Sequence, residues 1–366
     1  MGNCNFMSEQ EFIPAELKNL AVSGETSWRA PSNIALVKYW GKYPGQIPAN
    51  PSISFTLSTS ATTTEIKFNK QGVGREKPSF DLLFEGSPNR AFEPKIKNFI
   101  ERILPYVPWL RFYHLHIRTS NSFPHSSGIA SSASGMAALS LCIVDMEKSM
   151  NPGMSDEHFN RKASFLSRLG SGSACRSIDG PIVSWGKHDD IKGGSDLYGT
   201  AFTGPVHQDF QNFQDTILLV HKGAKTVSST AGHALMDGHT FASQRFAQAN
   251  KNLTSITQAL AKGEMDQFIE LVESEALSLH AMMMTSIPYY LLMKPNTIAI
   301  IEKVWEYRKE TGEALCFTLD AGANVHLLYP GESSEKVLQF IKNELVVYCE
   351  KGQYICDHIG QGAKKI

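Results

Sequence analysis

Six serines crowd the segment NSFPHSSGIASSASG, which spans residues 121–135. Small residues let backbone N–H groups approach a phosphate closely, and a helix that begins behind them adds a partial positive charge. The segment is not a Walker A loop, because no Gly-Lys-Ser/Thr follows at the required spacing. Small residues are also typical of a helix packed closely against a sheet. The composition of this segment therefore leaves open whether it binds an anion or only packs.

A second turn of small residues, LGSGSACRS (169–177), places Arg176 beside Ser171 and Ser173. Hydroxyls and backbone amides can bind one anionic group, while the guanidinium forms paired hydrogen bonds with a carboxylate or phosphate. An arginine in a loop is often only a solvated charge. Arg176 stands between a cysteine and a serine and has no neighbouring acid to pair with. This setting favours the interpretation that its side chain points into a site.

The segment SNIALVKYWGK (32–42) contains Lys38, Tyr39 and Lys42 within an apolar run. One interpretation makes Tyr39 and Trp40 core residues and lets both lysines extend their charged ends to solvent. The alternative is that the two lysines supply positive charge to an acidic ligand. Both interpretations stay open on this segment alone.

Two further turns carry carboxyl or hydroxyl groups. TLDAGAN (318–324) places Asp320 at the end of a predicted strand. An Asp there is often only a turn former, but it can also be a catalytic carboxylate between rigid strands. KTVSSTAG (225–232) places Ser and Thr ahead of a predicted helix, and its simplest interpretation is a helix N-cap.

These segments need strands and helices to hold them, and the hydrophobic pattern predicts both. Alternation of β-branched and aromatic residues begins at Trp28 and indicates half-buried strands. Strands are predicted at 51–58, 62–69, 79–86, 112–119 and 181–185, and helices at 92–104, 135–146 and 155–169. Residues 1–25 are polar and mixed, and we expect a leader of unknown role that lies outside the main fold.

The stretch 186–214 is rich in Gly, Asp, His and Gln and predicts a boundary between two lobes. Beyond it, strands are predicted at 215–221, 313–320, 324–330 and 353–359, and helices at 240–262, 264–284, 295–312 and 334–346. Strands and helices mix without a regular βαβ period, which indicates an α+β fold with helices on one face of antiparallel sheets. The predicted domains are residues 26–212 and 213–366.

Composition excludes several classes of function. The chain has 366 residues, of which 42% are hydrophobic and 19% charged, and a formal net charge of -1. Such a chain is an ordinary globular protein without long-range attraction for nucleic acid. The six cysteines include no CxxC pair, which argues against a zinc site and suits reduced thiols.

No segment approaches the roughly 20 apolar residues that a bilayer-spanning helix requires. The start MGNCNF has Phe6 where a myristoylation signal needs Ser or Thr. We therefore predict a cytoplasmic protein without a membrane or nucleic-acid partner.

The motifs together resemble those of the diphosphomevalonate decarboxylase family, which belongs to the GHMP kinase superfamily. NIALVKYWGK, FPHSSGIASSASG, GSGSACRS, VSST and LDAGANV occur in that family's order, and the resemblance runs from about Trp28 to Gly360. KYWGK and GSGSACRS are specific to the family, whereas the superfamily shares the Ser-rich loop. The resemblance implies a two-lobed GHMP kinase fold, with a ribosomal-protein-S5-like, ATP-binding N-terminal lobe and a ferredoxin-like C-terminal lobe that carries the Asp turn.

The resemblance also implies an activity. Such an enzyme is a carboxy-lyase that uses ATP to phosphorylate the tertiary 3-hydroxyl of mevalonate 5-diphosphate. Phosphate and the carboxylate then leave, which gives isopentenyl diphosphate, ADP, phosphate and carbon dioxide. A tertiary alcohol is a poor nucleophile, so it needs a positioned base and a stabilised phosphoryl group. We expect ATP and Mg²⁺ as cosubstrate and metal, and a homodimer, which is common in the family.

Roles for single residues follow from the resemblance. Asp320 matches the Asp that orients or deprotonates the hydroxyl, Lys38 matches a Lys that keeps this Asp ionised, and Arg176 matches the Arg that holds the substrate carboxylate. The positions that match the surroundings of the substrate diphosphate are Tyr39, Lys42, Ser171, Ser173, Ser228 and Ser229. The positions expected along the ATP phosphates are Ser127, Gly128, Ile129, Ala130, Ser131 and Ser132. The hydroxyl of Ser131 or Ser132 is expected to hold phosphate or magnesium, and no metal ligand is assigned.

The sequence departs from the family pattern at two places. The phosphate loop has His125-Ser126-Ser127 where the family usually has Thr-Ala-Ala, and the Asp turn has DAGAN where DAGPN is common. Neither change removes a charged catalytic group, so each bears on nucleotide affinity or loop rigidity. His280 lies in a predicted helix from which it could approach the substrate, but we interpret it as a core histidine.

Two alternatives compete with decarboxylation. A GHMP kinase would phosphorylate mevalonate or a related acid without loss of carbon dioxide, and such relatives tend to lose the Asp and Lys pair. A catalytically silent relative would act as a ligand sensor or structural protein, and it would lack at least one of Lys38, Arg176 and Asp320. All three residues are present, which favours the decarboxylase.

Overall fold

Residues 9–17, 19–124, 129, 131–223, 227 and 229–366 are described by a computed structural model, with the backbone alone at Ser229. The strands are β1 (Ser23–Val37), β2 (Lys42–Tyr43), β3 (Ile47–Pro48), β4 (Ser52–Lys70), β5 (Ser79–Phe84), β6 (Ser87–Pro88), β7 (Tyr113–Asn121), β8 (Ile182–Trp185), β9 (Thr200–Ala201), β10 (Phe213–Leu218), β11 (Cys316–Thr318), β12 (Val325–Pro330), β13 (Tyr354–His358) and β14 (Lys364–Lys365). The helices are α1 (Glu93–Ile103), α2 (Ser131–Met150), α3 (Asp156–Gly170), α4 (Ser229–Ala234), α5 (Ala242–Lys262), α6 (Met265–Met284), α7 (Pro295–Thr311) and α8 (Ser334–Phe340).

The larger sheet has the order β14-β1-β4-β7-β5-β6, and β8 and β9 extend it from β4. The predicted strands at 51–58 and 62–69 form the single strand β4, because β1 pairs with both segments while β8 and β7 pair with the two ends of β4. β5 and β7 run parallel. The α+β class is confirmed, but the expectation of purely antiparallel sheets is wrong at this pair.

The smaller sheet has the order β11-β12-β10-β13, and all of its pairs are antiparallel. It carries the turn that follows β11, and α7 ends beside it. The predicted end of that helix at Gly312 is confirmed, because Gly312 takes the left-handed conformation with φ of 71° that commonly caps a helix. The predicted helix at 334–346 is shorter as an α-helix, since a π-helical turn over Ile341–Leu345 follows α8.

Three large apolar cores hold these sheets in place, and the third packs α7 and α8 against the smaller sheet. In the first, α2 and α3 cover the larger sheet, and the small residues Ala133, Ala137 and Ala138 of α2 are fully buried. The packing interpretation of the Ser-rich segment therefore holds for the helix itself. The second core joins Phe55 of β4 to Phe268 of α6, so it connects the larger sheet to the C-terminal helices.

The N-terminal segment packs on the first core. Phe12 is fully buried and stacks on Phe165 with ring centroids 4.3 Å apart. Glu9 accepts a hydrogen bond of 2.6 Å from Tyr106 and pairs with Arg168 at 3.2 Å. The expectation that residues 1–25 lie outside the main fold is thus wrong for the described part of the segment. The apolar residues of this mixed segment follow no clear helical or strand period, so the pattern does not predict this anchor.

None of the helices in the described part of the chain combines the length and apolar character that crossing a bilayer requires. Cys142, Cys175, Cys316 and Cys349 are buried free thiols, and Cys356 is an exposed one.

Candidate active site

Lys38 and Asp320 form an ion pair where the two lobes meet. Lys38 directly follows β1 and Asp320 follows β11, and Lys38 Nζ lies 3.3 Å from Asp320 Oδ1. The Lys38 side chain is 2% exposed and that of Asp320 is 28% exposed. Burial lowers the pKa of Lys38, and the Asp320 carboxylate opposes this shift. The predicted ion pair is therefore present, and Asp320 is the more exposed of its two side chains.

A buried network holds the backbone of Lys38. The Lys38 N–H donates to Glu275 Oε2 at 2.8 Å, and Asn50 Nδ2 donates to the Lys38 carbonyl at 2.9 Å. Glu275 also pairs with Arg245, and both side chains are at most 1% exposed. Sequence reasoning missed this pair. The sequence did offer one signal: Glu275 stands beside the core position Ala276 in a predicted helix, and a buried charge usually has a partner.

His280 holds the backbone of Asp320. Its Nε2 lies 3.2 Å from the Asp320 carbonyl oxygen, which can only accept, so Nε2 carries the hydrogen. The residue is 1% exposed. His280 is therefore a buried histidine with a hydrogen-bond partner, as interpreted from the sequence, and that partner is the turn that carries Asp320.

Arg176 is a buried cation whose partners in the described part of the chain are neutral. Its guanidinium donates to Ser52 Oγ and, at 3.4 Å, to Asn33 Oδ1. Asn33 is itself fixed, because its Nδ2 donates to Ser177 Oγ at 2.8 Å. Burial lowers the pKa of Arg176, and the negative charge of Asp320 is among the factors that oppose this shift. A buried charge without a counter-ion is costly, so this arrangement favours an anionic ligand.

The small-residue turn after α3 touches Tyr39. A Cβ atom added to Gly172 would lie 2.9 Å from the Tyr39 hydroxyl oxygen and 2.9 Å from the Trp185 ring, so only glycine fits this approach. Burial raises the pKa of Tyr39, which leaves its hydroxyl protonated and able to donate. The turn also brings in Ser171 and Ser173, which are both half-buried.

His233 connects α4 to the KYWGK turn. The Gly41 N–H donates to His233 Nδ1 at 3.0 Å, and the Tyr39 ring lies 4.3 Å from the imidazole. Burial lowers the pKa of His233 to about 3, with further contributions from the charges of Lys42 and Arg176. His233 is thus a neutral acceptor, and sequence reasoning missed it. Of the two predicted serines before it, Ser228 and the side chain of Ser229 lie outside the described residues.

Lys42 adds a second cation near this turn. Burial lowers the pKa of the half-buried Lys42, and the charge of Arg102 lowers it further. Arg102 was not predicted, and its Nη1 donates to the Leu169 carbonyl at 3.0 Å, just before the small-residue turn. The positive charge of the site therefore extends from Arg176 and Lys38 to Lys42 and Arg102.

The predicted phosphate loop is partly described. Ser127, Gly128 and Ala130 lie outside the described residues, as does His125-Ser126. Ser32 Oγ donates to the Ile129 carbonyl at 2.8 Å, which ties the loop to β1. α2 begins at Ser131, and Ser132 Oγ lies 3.3 Å from Ser171 Oγ. The loop therefore meets the small-residue turn.

An apolar cavity opens beside the start of α2. Its lining includes Ser131 and Ser132 together with Leu82, Ile117 and Met136. A flat apolar group could enter this cavity while a phosphate chain attached to it lies at the helix N-terminus. The site therefore combines several cations with the partly exposed carboxylate of Asp320, which suits a ligand that carries several negative charges.

Two family models match the chain. One is described as the diphosphomevalonate decarboxylase-like N-terminal domain and matches residues 30–198. The other is described as the mevalonate 5-diphosphate decarboxylase C-terminal domain and matches residues 216–361. Together the matched residues contain every motif that meets in the site.

Individual relatives agree with these models. A diphosphomevalonate decarboxylase of Saccharomyces cerevisiae is 30% identical over 329 residues, which cover 85% of this chain and 79% of the relative. One of Aspergillus fumigatus is 29% identical over 345 residues, which cover 88% and 82%. Among solved structures, the mevalonate diphosphate decarboxylase of Staphylococcus aureus has a TM-score of 0.79 at 26% identity and covers 94% of this chain and 98% of its own. A solved complex of MDDEF with MVAPP, AMPPCP and magnesium also has a TM-score of 0.79 at 26% identity, with 94% and 99% covered.

Proposed function

Because the chain belongs to the diphosphomevalonate decarboxylase family, we propose that Asp320, Lys38 and Arg176 are the catalytic residues of an ATP-dependent decarboxylation. The substrate is mevalonate 5-diphosphate, and the products are isopentenyl diphosphate, ADP, phosphate and carbon dioxide. The observation that carries this assignment is the contact of 3.3 Å between Lys38 Nζ and the partly exposed Asp320 carboxylate. Such a base can receive the proton of a hydroxyl group that enters the cleft.

In the first step, the 3-hydroxyl oxygen of the substrate attacks the γ-phosphorus of ATP while its proton passes to Asp320. ADP leaves with the electrons of the broken P–O bond. Lys38 lies beside the carboxylate and supplies positive charge near the transferring phosphoryl group, where negative charge must be stabilised. His280 and Glu275 hold the two backbones and so fix the distance between these side chains.

In the second step, phosphate leaves C3 with its bonding electrons, and the bond between the carboxylate carbon and the adjacent carbon breaks. The electrons of that bond form the double bond of isopentenyl diphosphate, and carbon dioxide departs. Arg176 is proposed to hold the substrate carboxylate until then, because a buried guanidinium with only neutral partners can form paired hydrogen bonds with it.

The substrate diphosphate is proposed to lie at the other side of the KYWGK turn. Its proposed contacts are Tyr39, Lys42, Ser171, Ser173, Ser228 and Ser229. The support is that Tyr39 touches the turn at Gly172 and that Lys42 supplies a charge which lowers the pKa of the neighbouring His233. Hydroxyl donors and a lysine together suit a diphosphate.

ATP is the cosubstrate and Mg²⁺ the required metal. We propose that the ATP phosphates lie along residues 127–132, and the start of α2 at Ser131 supports this because helix N-termini bind phosphates. The hydroxyls of Ser131 and Ser132 are oxygen donors of the kind that Mg²⁺ accepts, and the bound metal would neutralise charge on the phosphates. The adjoining apolar cavity is the proposed place of the nucleotide base.

The assay that tests this function follows ADP and carbon dioxide together, with purified protein, mevalonate 5-diphosphate, ATP and Mg²⁺. The proposal expects both products in equal amounts. ADP without carbon dioxide would instead identify a kinase of mevalonate or a related acid. If neither ADP nor carbon dioxide forms, the result favours a catalytically silent relative.

We also propose a cytoplasmic homodimer with domains at 26–212 and 213–366. The free thiols support a reducing compartment.

An exposed apolar cluster supports the homodimer. It contains Ile287, Tyr289 and Leu291, which are 91%, 80% and 63% exposed, and clustered exposed apolar side chains often mark an interface. Light scattering that gives twice the chain mass of 40.5 kDa supports the dimer, and the mass of a single chain contradicts it.

A further inference from the structure

A cluster of two histidines and one aspartate lies on the larger sheet, outside the site described above. His114 and His116 belong to β7, and Asp81 belongs to the parallel neighbour β5. Alternate residues of a strand point to the same face, so both imidazoles stand on one side of the sheet. Asp81 is paired in register with His116, and Ser79 is paired with His114.

The three ligand atoms have the spacing of a metal site. Asp81 Oδ2 lies 3.1 Å from His114 Nε2 and 3.0 Å from His116 Nδ1, and all three atoms lie within 4.8 Å of one another. In a tetrahedral zinc site with metal–ligand bonds of 2.0–2.1 Å, ligand atoms stand about 3.3 Å apart. Two imidazoles and a carboxylate are also a ligand set that Zn²⁺ accepts.

The second nitrogen of His114 has a partner that suits this role. Ser79 Oγ lies 2.8 Å from His114 Nδ1. A hydrogen on Nδ1 that is accepted by this hydroxyl leaves the lone pair of Nε2 directed at the shared point. Metal-bound histidines commonly use their other nitrogen in this way, which orients the ring.

From this geometry we infer that Asp81, His114 and His116 bind one Zn²⁺ ion, with the fourth position open to water. The side chains are 66%, 22% and 46% exposed, so the ion can enter from solvent. The ion joins β5 to β7 and thereby stabilises the parallel pair of the sheet.

The other face of the same strands lines the apolar cavity. Leu82 follows Asp81 and Ile117 follows His116, and both side chains are buried cavity residues. The metal site therefore lies behind the wall of the proposed nucleotide cavity. It does not overlap the residues assigned to catalysis, so its test is independent of the proposed function.

Zinc titration of the full-length protein, with ZnCl₂ alone and a competing chromophoric chelator, tests the inference. We expect one Zn²⁺ per chain at this site, and at least tenfold weaker binding in Asp81→Asn, His114→Ala and His116→Ala. Ser79→Ala should weaken binding by about tenfold, as loss of a partner to a ligating histidine does. The matched control is His358→Ala, an exposed strand histidine outside the cluster, and it should bind zinc as the unaltered protein does.

Unfolding midpoints give a second readout that does not depend on activity. Zn²⁺ should raise the midpoint of the unaltered protein and of His358→Ala but not that of His116→Ala, since only a folded site binds the ion. Circular dichroism without zinc checks that the variants are folded. Absent zinc binding, or binding that the three ligand variants leave unchanged, would overturn the inference and leave a hydrogen-bonded surface patch.

Discussion

The ammonium group of Lys38 lies 3.3 Å from the carboxylate of Asp320, although 282 positions separate the two residues in the chain. The lysine is almost fully buried, whereas the carboxylate is 28% exposed. This difference in exposure fits the separate roles proposed for the two residues, in which Asp320 contacts the substrate hydroxyl and Lys38 acts from behind it through its charge.

Lys38→Met should reduce kcat by about 10²–10³-fold, the loss typical when one stabilising group is removed from a transition state. KM for mevalonate 5-diphosphate should change little, because the lysine is buried behind Asp320. Lys42→Met is the matched control, and it should raise KM more than it lowers kcat, since Lys42 is proposed to bind the diphosphate. Steady-state kinetics of both variants measure kcat and KM separately. Equal effects of the two variants on KM would contradict the separate roles of Lys38 and Lys42.

Arg176→Lys should lower kcat/KM by about 10–100-fold. A lysine keeps the charge, but it cannot form the paired hydrogen bonds of a guanidinium, and charge-assisted bonds contribute about 1.5–3 kcal/mol each. Arg118→Lys, at a position 63% exposed on β7, serves as the control and should behave as the unaltered enzyme. Unchanged rate and substrate affinity in Arg176→Lys would remove Arg176 from the site.

Glu275→Gln should lower the free energy of unfolding by about 3–5 kcal/mol, because it leaves the buried Arg245 guanidinium without its counter-ion. The double variant Arg245→Met/Glu275→Met should recover much of this stability but not full activity, since methionine at position 275 removes the oxygen that accepts from the Lys38 N–H. Urea unfolding and kcat of the same samples measure the two effects separately. A single variant within 1 kcal/mol of the unaltered protein would argue against a stabilising role for this ion pair.

His233 should make the protein less stable in acid. Its pKa is lowered from 6.5 to about 3, so between these values the unfolded chain binds a proton that the folded chain does not. Stability from this residue is therefore complete above pH 6.5 and falls as the pH drops toward 3, by about 2 kcal/mol at pH 5.

His233→Asn tests this dependence, because its Oδ1 can accept the Gly41 N–H without titrating. The difference in unfolding free energy between pH 7 and pH 5 should be smaller in the variant than in the unaltered protein. An identical difference in both proteins would show that His233 does not carry the effect.

The sequence predicts residues whose role follows from local pattern, and it misses roles that arise from distant contacts. Lys38, Arg176 and Asp320 stand in specific motifs, and the long helices have strong periodicity. By contrast, Glu275 and His233 act through backbone groups more than 190 positions away. No local pattern links a helix residue to such a partner.

Strand pairing and single anchors are missed for a related reason. The parallel pairing of β5 with β7 leaves no signature in either strand, because their alternation suits both directions. Phe12 lies in a mixed segment without a clear period, and its place in the core depends on contacts such as its stacking on Phe165, far along the chain. The positions 125–127, where the loop departs from the family pattern, lie outside the described residues.

Asp320→Asn provides the most direct test of the account, with ADP and carbon dioxide measured together and both substrates titrated for binding. Release of both products should fall by about 10²–10⁴-fold, the contribution of a positioned acid–base group. Dissociation constants for ATP and mevalonate 5-diphosphate should stay within about threefold, and the exposed control Asp237→Asn should retain full turnover. Near-normal product release by Asp320→Asn would contradict the assignment of Asp320 as the catalytic base.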